Sequence, residues 1–126
     1  MMDRRRFLRI DVDLPGTVKL DSGMEVPVRV LDVSGGGLQI HCDALDCEII
    51  APGGDCLDRQ GRPIEVDVCF QPESRPLRLR CRIVFVRRLS HDRYCIGLSY
   101  ADPLQDDVVE LERVLLHAAT RSSGRP

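Results

Sequence analysis

Four arginines, Arg4, Arg5, Arg6 and Arg9, crowd the first nine residues, and further along the chain reads Asp32-Val33-Ser34-Gly35-Gly36-Gly37. Arg5 and Arg9 stand four apart with Phe7 and Leu8 between them. A guanidinium fork binds phosphate bidentately, and the same fork matches the O6/N7 edge of guanine. One residue type thus serves both the phosphate and the base of a guanine nucleotide. Asp32 can accept from the N1–H and N2–H donors of guanine, and the Ser34 hydroxyl adds an adaptable donor or acceptor. Glycines here permit positive φ and close approach of backbone to a ligand. Taken alone, D-x-S-x-x-G reads as an ordinary hairpin turn; beside an R-x-x-x-R arm it reads as half of a site.

Catalytic chemistry is excluded on spacing. A nucleophile elbow needs G-x-S-x-G, and Asp32 stands two residues before Ser34. A P-loop needs Gly-Lys before Ser or Thr, and the sole lysine, Lys19, follows Val18. His41, His91 and His117 are scattered. The chain reads as a binder and not an enzyme.

The charge is local. The first ten residues carry four arginines and one aspartate, the rest fourteen basic and nineteen acidic residues, for a net charge of -2. A nucleic-acid-binding domain usually has a basic balance throughout, and aromatics for base stacking are few, with no Trp, so a nucleic-acid partner is disfavoured. No apolar run approaches the roughly 20 residues of a membrane span, and no signal h-region follows Arg9, so a cytoplasmic protein without membrane insertion is expected. Cys42, Cys47, Cys56, Cys69, Cys81 and Cys95 form no C-x-x-C and fit no zinc template. Cys69, Cys81 and Cys95 lie in apolar runs and read as small buried hydrophobes. Cys42, Cys47 and Cys56, in or beside a loop, are the set left for metal or redox chemistry.

Six runs must hold the site: "GTVKL", "EVPVRVLDV", "GLQIHC", "IEVDVCF", "LRLRCRIVFVRR" and "YCIGLSY". They are short, alternating or β-branched, and divided by turn residues, with "LDSGME" as a hairpin. Leu77, Leu79, Cys81, Ile83 and Phe85 alternate with Arg78, Arg80 and Arg82, which predicts a strand with one face on the core and an arginine face in water. A loop is expected from about Asp43 to Pro63. Leu104, Val108, Leu111, Leu115 and Ala118 then recur at helical spacing, with Asp102 as N-cap, Pro103 at the first position and Gln105 in a capping box. The organisation is a flexible basic arm over 1–10, a barrel domain over 11–120 with its helix at about 103–120, and a disordered tail over 121–126. An antiparallel barrel or sandwich follows from the strands alone.

Arg5-Arg6-Phe7-Leu8-Arg9 with Asp32-Val33-Ser34-Gly35-Gly36-Gly37, and "YCIGLSY" with Gly97 late in the chain, resemble the PilZ domain family over essentially the whole sequence. The resemblance implies a six-stranded antiparallel β-barrel followed by one α-helix. It implies a receptor for the bacterial second messenger cyclic di-GMP (c-di-GMP), with no other cofactor and no metal. By position, Arg5 and Arg9 are the anchors for phosphates and guanine Hoogsteen edges, and Asp32, Ser34, Gly36 and Gly37 form the platform. Arg4, just before the motif, is associated in the family with an intercalated pair of c-di-GMP molecules. A one-domain receptor has no output module, so it signals by changing contacts with a downstream protein. The competing reading is a PilZ-type adaptor with weak or absent nucleotide binding, working through the arginine face of the fifth strand and the C-terminal helix.

Overall fold

Alternate valines mark the inner wall of the molecule. Val26, Val28 and Val30 are buried on β2 (Glu25–Ser34), and Val66 and Val68 on β4 (Glu65–Phe70). Leu77, Leu79, Cys81 and Ile83 do the same on β5 (Leu77–Arg88). With β1 (Arg9–Lys19), β3 (Gly37–Asp43) and β6 (Arg93–Tyr100), these strands close an antiparallel barrel in the order β1-β2-β3-β6-β5-β4. The computed structural model describes residues 9–123. Each fully buried Val, Leu or Ile contributes about 1.5–3 kcal/mol, and closure leaves no open sheet edge. The expected barrel with a C-terminal helix is the fold observed.

Several boundaries differ from the sequence reading. β1 begins at Arg9, seven residues before the expected "GTVKL", so Arg9 and Ile10 belong to the barrel wall. The expected loop after Asp43 contains a helix, α1 (Ala44–Ile50), capped by the Asp43 side chain accepting from the Asp46 amide at 2.8 Å. Cys47, Ile50 and Ala51 are buried against the core, so this segment packs on the barrel beside β2, β3 and β6. Seven residues are too short a run for the helical period to stand out. Cys69 is half-buried rather than buried, because it lies on the outward phase of β4, while Cys81 and Cys95 are buried.

The C-terminal helix α2 spans Asp106–Ser123, starting three residues later than expected. Asp102 accepts from the Leu104 amide in a turn before the helix, and Leu104 is 80% exposed instead of joining the apolar stripe. Gln105 does not complete a capping box. Its side chain donates to the Arg80 carbonyl at 2.9 Å and accepts from the Arg80 amide at 2.8 Å, pairing with β5 as a strand residue would. β6 stops at Tyr100 opposite Cys81, so the first residues of β5 have free backbone groups on that side. Gln105 takes those of Arg80, and Asp107 accepts from the Arg78 amide at 2.7 Å. Val108, Leu111 and Leu115 are buried as expected, and Val114 joins them.

The arginine face of β5 is neutralised. Arg78 pairs with Asp67 at 2.6 Å, Arg80 with Asp21, Glu65 and Asp67, and Arg82 with Glu65. Its guanidiniums are held by β4 and by the β1–β2 hairpin.

Candidate ligand-binding site

Three strand pairings shift register at one end of the barrel. On β2 the even residues face inward as far as Val30; a register shift against β3 between Val30 and Asp32 then reverses the alternation. Val33 becomes the buried residue, and Asp32 and Ser34 turn to the outer surface. β1 shifts against β2 between Asp11 and Leu14, and β5 shifts against β6 between Ile83 and Phe85. β-Bulges of this kind re-aim side chains and gather beside functional sites.

The shift in β5 corrects one expectation. Phe85 does not continue the core stripe; Val86 packs against the core in its place, and Phe85 lies outside over Gly97. A Cβ built on Gly97 would stand 2.0 Å from Phe85 Cε2, so only glycine lets the ring sit down on the sheet. Register pairs run across the wall as Asp32–Gln39, Gln39–Gly97 and Gly97–Phe85.

Over this row opens a cleft of about 400 Å3, whose lining includes Arg9, Asp32, Ser34, Gln39, Phe85 and Gly97, with Gly36 and Gly37 at one side. Arg9 Nη1 donates to Asp32 Oδ2 at 3.0 Å; the arginine side chain is 64% exposed and the carboxylate 17%. The sequence-predicted residues Arg9, Asp32, Ser34, Gly36 and Gly37 thus meet at one place. Arg4 and Arg5 lie outside the described residues. Phe85, Gln39 and Gly97 were not singled out as site residues from the sequence as a set; the bulge that exposes Phe85 leaves no mark in the alternation.

Ser34 works inside its own turn. Its Oγ donates to the Gly37 carbonyl at 3.1 Å and accepts from the amides of Gly36 and Gly37 at 3.2 and 3.3 Å. The glycines are not there for positive φ: the left-handed glycines are Gly23, Gly53, Gly54 and Gly61. Gly37 is required by close approach to protein, since a Cβ would lie 2.0 Å from the Leu98 carbonyl oxygen on β6. From below, the buried Tyr100 hydroxyl donates to the Ser34 carbonyl at 2.6 Å.

Beyond Phe85 the wall is cationic. The Arg87 guanidinium stands 5.5 Å from the Phe85 ring centroid, within cation–π range. His41, on the neighbouring row, is held below its ordinary pKa of 6.5 by burial first and then by Arg93 and Arg87. A second, larger cleft of about 650 Å3 lies beside Arg80, Arg82 and Glu65, but the charges lining it are spent on one another. Burial drives the Cys42 thiol up to about 12, with Cys47 and nearby carboxylates adding to it, so it stays protonated at neutral pH. Among the described residues no group of three His, Cys, Asp or Glu side chains is placed to hold a metal ion, and no helix is long and apolar enough to cross a membrane.

Fold and cleft together define a small closed-barrel domain with an open cleft on its outer wall. The model of the PilZ domain family matches residues 3–117, and the chain belongs to that family. Its fold is similar to that of MrkH of K. pneumonia, solved as a complex with c-di-GMP, at 16% identity and a TM-score of 0.68, covering 98% of this chain and 56% of that one. It is also similar to the Bacillus subtilis inhibitor of motility MotI/DgrA, at 12% identity and a TM-score of 0.65, covering 95% of this chain and 53% of that one. The PilZ domain of YcgR from Escherichia coli, solved with c-di-GMP, aligns at 10% identity and a TM-score of 0.59 over 98% of this chain and all of that domain. The chain therefore spans about half the length of MrkH and MotI. No curated protein sequence matches it.

Proposed function

We propose that the chain is a non-enzymatic receptor that binds c-di-GMP over this cleft and signals through a partner protein. The observation that carries the reading is the Arg9–Asp32 pair, which sets a guanidinium and a carboxylate side by side at the cleft. The ligand carries two phosphates and two guanines. Arg9 offers its remaining N–H groups to a phosphate or to the O6/N7 edge, and Asp32 takes the N1–H and N2–H donors. Arg5 supplies the second guanidinium of the R-x-x-x-R motif, and Arg4 the extra cation that a stacked pair of ligands, with four phosphate charges, rewards. Ser34, Gly36 and Gly37 shape the platform, the Ser34 hydroxyl by clamping its turn rather than by reaching outward. Phe85 gives the cleft an apolar wall on which a purine can stack, and Gln39 an amide beside it. The reading places the receptor in the cytoplasm, where a soluble nucleotide reaches an open cleft.

The experiment is a parallel titration with c-di-GMP and c-di-AMP. Adenine lacks the N1–H and N2–H donors and O6, and each lost bidentate contact is worth about 1–3 kcal/mol. Saturable binding of c-di-GMP with at least tenfold weaker c-di-AMP binding is expected, and equal affinities would remove Asp32 and Arg9 from base recognition. For the partner, one surface has a supporting observation: Val109 and Leu116, seven residues or about two helical turns apart on the outer side of α2, are 52% and 59% exposed.

A further inference from the structure

The candidate cleft is held from underneath by a residue that does not line it. Tyr100, the last residue of β6, is buried with its hydroxyl against the Ser34–Gly37 turn. The hydroxyl lies 2.6 Å from the Ser34 carbonyl oxygen and 3.2 Å from that of Gly37, and the Tyr100 amide donates to the Gly36 carbonyl at 3.3 Å. One residue thus engages three of the four carbonyls of the turn that follows Asp32. Burial raises the Tyr100 pKa well above the ordinary phenol value, so the hydroxyl keeps its proton and remains a donor.

The opposite side of Tyr100 leads directly to α2. The Ala101 amide donates to the Arg80 carbonyl at 2.9 Å, and Gln105 brackets the same residue through both its amide and its carbonyl. The first helical bonds of α2 then start from the Gln105 carbonyl, which accepts from the amides of Val108 and Val109 at 3.0 Å. The segment 100–105 is therefore pinned at one end to the cleft's turn and at the other to the base of α2.

We infer that Tyr100 is a positioning residue for the ligand site: its hydroxyl sets the Ser34–Gly37 turn, and its backbone joins that turn to the start of α2. This rests on the reading of the cleft as a c-di-GMP site only for its effect on affinity; the effect on the turn is independent of any ligand. A phenylalanine would fill the same space and lose the donor alone, leaving the Ser34 carbonyl without its short bond.

The test is Tyr100→Phe, compared with wild type by residue-resolved amide hydrogen exchange without ligand and by calorimetric titration with c-di-GMP. Loss of one buried hydrogen bond corresponds to roughly tenfold in local opening and in affinity. The amides of Gly36 and Gly37 should exchange about tenfold faster, with a smaller acceleration at Val108, while Val18 and Val68, paired between β1 and β4 away from β6, keep their wild-type rates. Affinity for c-di-GMP should fall about tenfold at unchanged stoichiometry. Wild-type exchange at Gly36 and Gly37, or acceleration spread evenly over the barrel, would overturn the positioning role. Acceleration at the turn with no change at Val108 would overturn the joint to α2. Wild-type protein that fails to bind c-di-GMP would sink the receptor reading, and the exchange data would still decide the role of Tyr100.

Discussion

Arg9 and Asp32 form a salt bridge at 3.0 Å between β1 and β2, diagonally and two residues out of direct register, since Arg9 pairs with Ser34 and Asp32 with Asp11. The arginine is mostly exposed, so the pair contributes about 0–1 kcal/mol to the fold. Its loss should fall on binding. Arg9→Ala is expected to weaken c-di-GMP binding by about tenfold to a hundredfold, the range for a charge-assisted hydrogen bond, with a melting temperature close to wild type. A large drop in melting temperature of the ligand-free protein would assign Arg9 to the architecture instead.

Two glycines beside the cleft should respond differently to alanine. At Gly37 the new Cβ meets the backbone carbonyl of Leu98, which cannot move without parting β3 from β6. At Gly97 it meets the Phe85 ring, an outward side chain that can swing away. Gly37→Ala should cost about 1–3 kcal/mol of stability. Gly97→Ala should cost less stability while displacing the cleft's aromatic wall. In a double-mutant cycle, Phe85→Ala should relieve most of the Gly97→Ala effect; additive thermal shifts would show that the two do not touch.

Helix α2 is fastened to the barrel by side chains standing in for a strand. Gln105→Ala removes both bonds to the Arg80 backbone and should cost roughly 1–3 kcal/mol, a fall of at least about 4 °C in melting temperature. Asp102→Ala, which releases only the exposed Leu104 amide, should cost under about 1 kcal/mol. The reverse order would restore Asp102 as the helix cap.

His41 gives the protein a pH dependence of known sign. Its pKa is lower in the fold than the unfolded value of 6.5, because burial and then Arg93 and Arg87 disfavour the charged ring. The unfolded chain therefore binds this proton more readily, and the stability the neutral ring lends is present above pH 6.5 and is lost as the pH falls from there through the folded value. Arg93→Ala should move the His41 pKa up towards 6.5, read from its ring protons by NMR titration. An unmoved pKa would mean that Arg93 exerts no field at that ring.

Much of this was legible in the residues. The valines of β2 and β4 and the Leu-Arg alternation of β5 announced the barrel because a half-buried strand repeats every second residue. Arg9 and Asp32 could be paired across the sequence because a guanine nucleotide needs both a fork of donors and a carboxylate. What stayed hidden is what breaks local rules. A bulge adds one residue and reverses every later side chain, so Phe85 read as core, and Gly97, legible as part of the family resemblance in "YCIGLSY", gave no sign that a ring sits on it. α1 is too short to declare itself by period, and Asp102-Pro103 looks like a helix start because Asp caps turns as readily as helices. Gln105 escaped because its partners are backbone atoms some 25 residues back in the chain. Tyr100 carries no local signal at all; its role exists only where β6 passes beneath the turn after β2.

The central claim is tested most directly by isothermal titration of the wild-type protein with c-di-GMP, reading affinity and stoichiometry in one experiment. The account predicts saturable binding that weakens with added salt, as contacts between arginines and phosphates require, at two nucleotides per chain when Arg4 joins Arg5 and Arg9. One nucleotide per chain would keep the receptor and remove the stacked pair. No binding heat at any salt concentration, with the barrel intact by circular dichroism, would contradict the claim.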